Sequence, residues 1–292
     1  MRKSVIFVRR CLLYSILLPA LCVRSLSARP VAGIAAPAGF SIRAAMVTLF
    51  GNFNSKSGAS EYDIPQTTTY DLNGSGLKIG DEIVVRPLRV LEAWEDGTHK
   101  MILLTYSRPK DGGSFDCHAC APLIGVAVFV RNGPQWKVES SRAVVTRGGS
   151  FGIPTRVFRV VQLGPRRIGI EMTDSYMGGG ETEDSMAILV AWGGKVNEAL
   201  RSFTHDDNKG DCGGSDMLPC YVIRKKVSYV PGENKDYFDI AFELSGTELT
   251  DTTPCRTKMV RGTERFVFID GFYKIKTRTG DTASLDQWIS GH

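Results

Sequence analysis

Gly125-Val126-Ala127-Val128-Phe129-Val130-Arg131-Asn132-Gly133-Pro134-Gln135-Trp136-Lys137-Val138 reads as an apolar strand, a tight turn at Asn132-Gly133 and a second strand. Asn-Gly between apolar, β-branched runs is a hairpin signal, because these residues tolerate the positive φ of a two-residue turn. Upstream, Arg86-Pro87-Leu88-Arg89-Val90-Leu91 leads through Glu95-Asp96-Gly97 into Lys100-Met101-Ile102-Leu103-Leu104-Thr105-Tyr106, a second hairpin. A polar loop joins the two, so residues 86–145 read as strand, turn, strand, long loop, strand, turn, strand.

The same pattern recurs in residues 156–203 and 221–276. The second unit runs from Val157-Phe158-Arg159-Val160-Val161 through Gly164-Pro165 to Ile168-Gly169-Ile170-Glu171-Met172. It continues with Ala187-Ile188-Leu189-Val190-Ala191-Trp192, the turn Gly193-Gly194, and Val196 to Phe203. The third runs from Tyr221 to Val230, turns at Pro231-Gly232-Glu233-Asn234 into Tyr237 to Phe242, and closes with Arg265 to Ile269, Asp270-Gly271 and Phe272 to Ile275. Val196 to Phe203 is the one stretch with competing helical character, too short to form a layer of its own. An all-β fold of repeated four-stranded antiparallel units is expected.

These units, each closing on a Gly-Gly, Asn-Gly or Asp-Gly hairpin, resemble the blades of integrin-type β-propellers. The resemblance covers about two thirds of the chain and implies a propeller-like arrangement. It lacks that family's Asp-x-Asp-x-Asp-Gly calcium loop in every unit. Three units are also fewer than a closed propeller uses, so residues 41–85 would have to supply another sheet. A β-sandwich of two packed antiparallel sheets is the alternative.

Residues 1–28 have the three parts of a secretory signal peptide: basic Met1 to Arg10, apolar Cys11 to Val23, and small residues at Ser25-Leu26-Ser27-Ala28. The apolar core is shorter than the roughly 20 residues that span a bilayer, so cleavage is expected, with no transmembrane segment in the mature chain. Pro19-Ala20-Leu21 before Cys22 lacks the small residue that precedes a lipidated cysteine. Of 36 Lys+Arg, five (Arg2, Lys3, Arg9, Arg10 and Arg24) lie in this segment, which has no acid; 31 remain against 31 Asp+Glu. The net charge of +5 therefore belongs to the leader. A neutral mature chain offers neither a nucleic-acid footprint nor attraction to an anionic membrane. About 260 residues are left, enough for one large β core. Residues 29–85, rich in Gly, Ser, Thr and Asn, read as a lead-in contributing edge strands; residues 277–292 are a polar tail with Leu285, Trp288 and Ile289 at helical spacing.

Five cysteines follow the leader: Cys117, Cys120, Cys212, Cys220 and Cys255, all outside the apolar runs. In an oxidising compartment, cysteines close in sequence staple loops. Cys212 with Cys220, and Cys117 with Cys120, are the disulfide candidates, and Cys255 is left as the free thiol. Cys117-His118-Ala119-Cys120 also has Cys-x-x-Cys spacing, which keeps thiol-disulfide exchange or metal capture open. A redox motif would start a helix, however, whereas Pro122 and a strand follow here. A structural zinc site would need a second, matching pair.

Gly148-Gly149-Ser150-Phe151-Gly152 matches the Gly-x-Ser-x-Gly nucleophile elbow, but that chemistry requires a helix next, and Ile153-Pro154-Thr155-Arg156-Val157 starts a strand. His205-Asp206-Asp207-Asn208-Lys209-Gly210-Asp211 is rich in oxygen ligands, yet Lys209 stands where a calcium loop wants a ligand. No catalytic residue, cofactor or metal site is assigned. Asp174 to Asp184, with Tyr176, Glu181 and Glu183, reads as a long loop on the same rim as the His118 and Cys255 loops. Loops on a rigid scaffold commonly bind. The sequence therefore points to a periplasmic or secreted, non-catalytic protein that binds another protein or an envelope component through His118, Tyr176, Glu181 and Glu183. A thiol-disulfide or metal-binding function at Cys117 and Cys120 and a purely structural envelope role are the alternatives.

Overall fold

The computed structural model describes residues 37, 39–66, 68, 77–111, 120–214, 217–250 and 255–281, all within one compact unit, Ile34–His292. The leader, Cys117, His118 and the Leu285, Trp288, Ile289 trio lie outside the described residues. The expected all-β, antiparallel architecture is present. β1 (Ser60–Asp63), β2 (Glu82–Glu95), β3 (Thr98–Pro109), β4 (Leu123–Asn132) and β5 (Gln135–Arg147) form a first sheet in that spatial order. After a two-residue ribbon, β6 (Gly149–Ser150) and β7 (Ile153–Pro154), eight strands follow: β8 (Val157–Gly164), β9 (Arg167–Gly178), β10 (Glu181–Trp192), β11 (Lys195–Asp207), β12 (Val222–Val230), β13 (Asp239–Leu249), β14 (Thr257–Ile269) and β15 (Phe272–Gly280). They lie side by side in chain order as a second sheet.

Separate blades would leave β11 and β12 unpaired. Instead His205, Asp206 and Asp207 pair with Arg224, Ile223 and Val222, so the units at 156–203 and 221–276 share one hydrogen-bonded sheet. That sheet curls into a half-barrel: Met186 and Ile188 of β10 pack in one cluster with Ile240 and Phe242 of β13 and Tyr273 of β15.

Side chains alternate across a strand, and the continuous apolar runs are the strands with both faces covered. Met101 and Leu103 of β3 face one cluster, which includes Met46 and Phe50; Ile102 and Leu104 face the next, with Met172 and Leu189 of the second sheet. In β10, Ala187 and Leu189 turn toward the first sheet while Met186, Ile188 and Val190 turn into the half-barrel. Each such side chain larger than alanine is worth about 1.5–3 kcal/mol of burial. The turns follow their residues: Asp96-Gly97, Gly179-Gly180, Gly193-Gly194 and Asp270-Gly271 all take positive φ at both positions, as a two-residue hairpin requires.

Val196 to Phe203 is strand, within β11, as the second unit's closing strand requires, its competing helical character overridden because Val196 packs into the core shared with the first sheet and Ala199 and Leu200 into the half-barrel. One local expectation is corrected. The helix among the described residues is α1 (Ile42–Phe50), inside the segment expected to give edge strands. Ser41 caps it by accepting from the Ala44 N–H at 3.2 Å, and Gly51, at φ 76°, closes it by donating to the Val47 carbonyl at 2.8 Å. Ile42, Ala45, Met46, Leu49 and Phe50 make one apolar face over the first sheet. This helix is too short to cross a membrane.

Candidate functional site

Strand register gathers several connections at one end of the second sheet. Gly178 pairs with Glu181, Thr182 with Asp207, Val222 with both Asp207 and Thr247, and Thr247 with Met259. The β9–β10 turn, the 208–221 connection and the β13–β14 turn therefore emerge together. Gly210 donates its N–H to Gly180 at 2.9 Å, tying the first two. The connection is held further by a Cys212–Cys220 disulfide, as the spacing predicts, with Cα atoms 5.0 Å apart. Asn208 braces it, accepting from the Tyr221 N–H at 2.8 Å and donating to the Pro219 carbonyl at 3.0 Å. The β6–β7 ribbon docks beside β9 through the Gly149 N–H, which donates to Asp174 Oδ2 at 2.9 Å. Gly149 sits at φ 106°, and a Cβ there would lie 1.9 Å from the Ile153 carbonyl oxygen.

The segment 174–184 is a regular hairpin, not a loop: Tyr176 lies in β9 opposite Glu183 in β10, and Glu181 opens β10. Its outer half exposes Tyr176 and Met177 among polar and glycine residues because no layer covers it, which is why it lacks the apolar alternation that marks a strand. Tyr176, Glu181 and Glu183 thus come together on one hairpin. Cys120 is disulfide-bonded. A bridged cysteine presents no thiolate for metal binding. Cys255 is a free, half-buried thiol that donates to the Thr250 carbonyl at 3.3 Å.

The oxygen-rich stretch His205 to Asp211, which the sequence offers as a poor calcium loop, supplies the groups that dominate this end, with His205, Asp206 and Asp207 the last residues of β11, where it pairs with β12. Asp206, beside Glu183 across the β10–β11 pair, accepts from the Tyr221 hydroxyl at 3.2 Å. Burial foremost, then the charges of Glu183 and Glu181, push its carboxyl up to about 6, against the Tyr221 hydrogen bond and the His205 ring. Asp207 behaves oppositely. Burial works to raise it, but the Lys209 N–H and the His205 ring hold it below the ordinary carboxylate value, with His205 Nε2 at 2.7 Å from Oδ2. These partners use the oxygens that a calcium loop would need. Among the described residues, no three His, Cys, Asp or Glu side chains are placed to hold a metal.

The Gly-x-Ser-x-Gly letters form the β6–β7 turn, with Phe151 at φ 50° and Gly152 at φ 66°. Strand, not helix, follows Ser150, so an elbow's exposed serine beside helix N–H donors is missing. What this end does present is apolar surface. Met177 is 67 % exposed, Met217 54 % and Leu218 51 %, with Phe151, Ile153, Tyr176 and Met259 also exposed at the same end.

No family model, curated protein or solved structure matches the chain.

Proposed function

We propose that this chain is an exported, non-catalytic β-protein that binds a macromolecular partner, a protein or an envelope component, through the rim formed by the β9–β10 hairpin and the disulfide-closed connection. The observation that carries this reading is the exposure of Met177, Met217 and Leu218 on backbone fastened by hydrogen bonds and a disulfide. Large apolar side chains left exposed at one end of a sheet add nothing to the stability of a monomer, and exposed apolar surface of this kind marks interaction sites. Pinning the backbone lowers the ordering cost of binding. Glu181 and Glu183 of the hairpin, Asp211 beside Gly180 and exposed Lys209 lie at the same end, so the partner surface the rim fits is apolar with a border of mixed charge. Residues 1–28 and the Cys212–Cys220 bridge support an oxidising, exported setting.

The test is co-fractionation of the protein with the envelope of cells that produce it. Met177→Asp and Leu218→Asp together should release it to the soluble fraction, whereas Ile275→Asp, on an exposed residue of β15, should not. Release by neither, or by both, would refute the rim as the binding surface.

A further inference from the structure

Ionised side chains buried inside this fold are paired. Lys225 and Glu264, at 1 % and 3 % side-chain exposure, meet at 2.9 Å; Asp239 meets Arg265 at 2.7 Å; Glu171 meets Arg159 at 2.7 Å; Lys100 meets Glu95 and Glu139. Arg142, half-buried in β5, departs from this rule. Its guanidinium has no ion pair or side-chain hydrogen bond among the described residues, and burial alone lowers its pKa.

Arg142 lines a cavity of about 180 Å³ between α1, the first sheet and the β10–β11 turn. Phe50 and Val126 give it apolar wall, Thr105 and Ser141 give it hydroxyls, and Lys195 stands exposed at its edge. Among the described lining residues there is no Asp or Glu. Lys195 begins β11 while the rim lies where β11 ends at Asp207, so this cavity is separate from the rim.

A guanidinium taken partly out of water without a counter-charge is costly, and its planar fork matches a carboxylate in two parallel hydrogen bonds. An apolar wall beside a few converging polar groups is the usual make-up of a small-molecule pocket. The volume slightly exceeds the roughly 150 Å³ cavity that accepts a benzene ring. We infer that this cavity is a binding site for a small monocarboxylate with a compact apolar body, its carboxylate held by Arg142 with Lys195 at the entrance and its body against Val126, the residue opposite Arg142 in the β4–β5 pair.

The experiment is titration of the intact protein with benzoate, followed by calorimetry and by thermal melting at fixed ionic strength, alongside benzamide and inorganic phosphate. Saturable binding of benzoate that raises the melting temperature, with benzamide and phosphate much weaker, is expected. Arg142→Gln should weaken benzoate by about ten- to hundredfold, the worth of a charge-assisted hydrogen-bond pair. It should not lower the melting temperature of the ligand-free protein, since it removes an unpaired charge. Should Arg142→Gln fold poorly, Arg142→Lys, which keeps the charge and loses the fork, serves in its place with a smaller loss. Equal binding of benzoate and benzamide, equal binding of benzoate and phosphate, or undiminished benzoate binding by the Arg142 variants would overturn the inference. None of these outcomes bears on the rim.

Discussion

At Asp206 the fold holds a carboxyl whose ionisation it opposes, since the strand end is half-buried and Glu183 and Glu181 stand close. With the folded value raised to about 6 from 3.8, the native state binds a proton that the unfolded chain has already lost between those limits. Stability is therefore unaffected below pH 4, falls as pH rises from 4 to 6, and stays reduced above. Asp206→Asn keeps an acceptor for Tyr221 and removes the charge. It should stabilise the protein at pH 7.5 by about 1–2 kcal/mol, after discounting for solvent screening at a partly exposed site, and leave it unchanged at pH 3.5. Urea melts at the two pH values measure this; equal effects at both would contradict it. Gly149→Ala should act in the other direction. A methyl 1.9 Å from the Ile153 oxygen, at φ 106°, cannot be placed without moving the ribbon. We expect a loss of about 1–3 kcal/mol and weaker protection of the Gly152 N–H, which donates to Cys120 at 2.8 Å.

At the scale of elements, the disulfide-closed connection bears on stability and on the proposed binding rim alike. Its sequence separation of 8 gives an entropic contribution of about 2.5 kcal/mol. The double variant Cys212→Ser, Cys220→Ser should lower the melting temperature by about 5 °C and loosen Met217 and Leu218 before the core is touched. Faster amide exchange confined to 208–221 is the expected signature. Which elements the sequence revealed follows from how they are stabilised. β3, β4 and β10 are legible because packing on both faces demands unbroken apolar runs such as Met101 to Leu104 and Met186 to Val190. The Cys212–Cys220 bridge is legible because the two residues flank a short glycine-rich loop. The β9–β10 tip is not, since uncovered strand needs no apolar residues and Asp174 to Asp184 looks like loop. α1 was open to reading: Ser41, the spacing of Ile42, Ala45, Met46, Leu49 and Phe50, and Gly51 are start, face and stop signals. They are diluted by the surrounding small polar residues. Ser41→Ala should cost about 1 kcal/mol, read as a shift in the urea midpoint.

For the whole molecule, the consequential feature is the junction of β11 with β12. Only His205, Asp206 and Asp207 pair across it, yet β10 and β13 share one buried cluster around Ile188 and Phe242. The two halves of the second sheet should therefore lose structure together despite the short hydrogen-bonded seam. Phe242→Ala, at a fully buried position, should cost about 3–5 kcal/mol and accelerate exchange in β10 as well as β13; faster exchange in β13 alone would show that the halves are independent. A sheet that stays whole is what allows the rim, assembled from β9, β10 and the connection after β11, to present fixed apolar groups. The most direct test of that role is site-specific photo-crosslinking in producing cells, with the crosslinker placed at Met177 and, separately, at Ile275. A discrete, saturable adduct from Met177 that is absent from Ile275, and lost when Leu218→Asp is added, is the expected result. Identical adduct patterns from the two positions, or none from Met177, would contradict the rim as the surface through which this protein works.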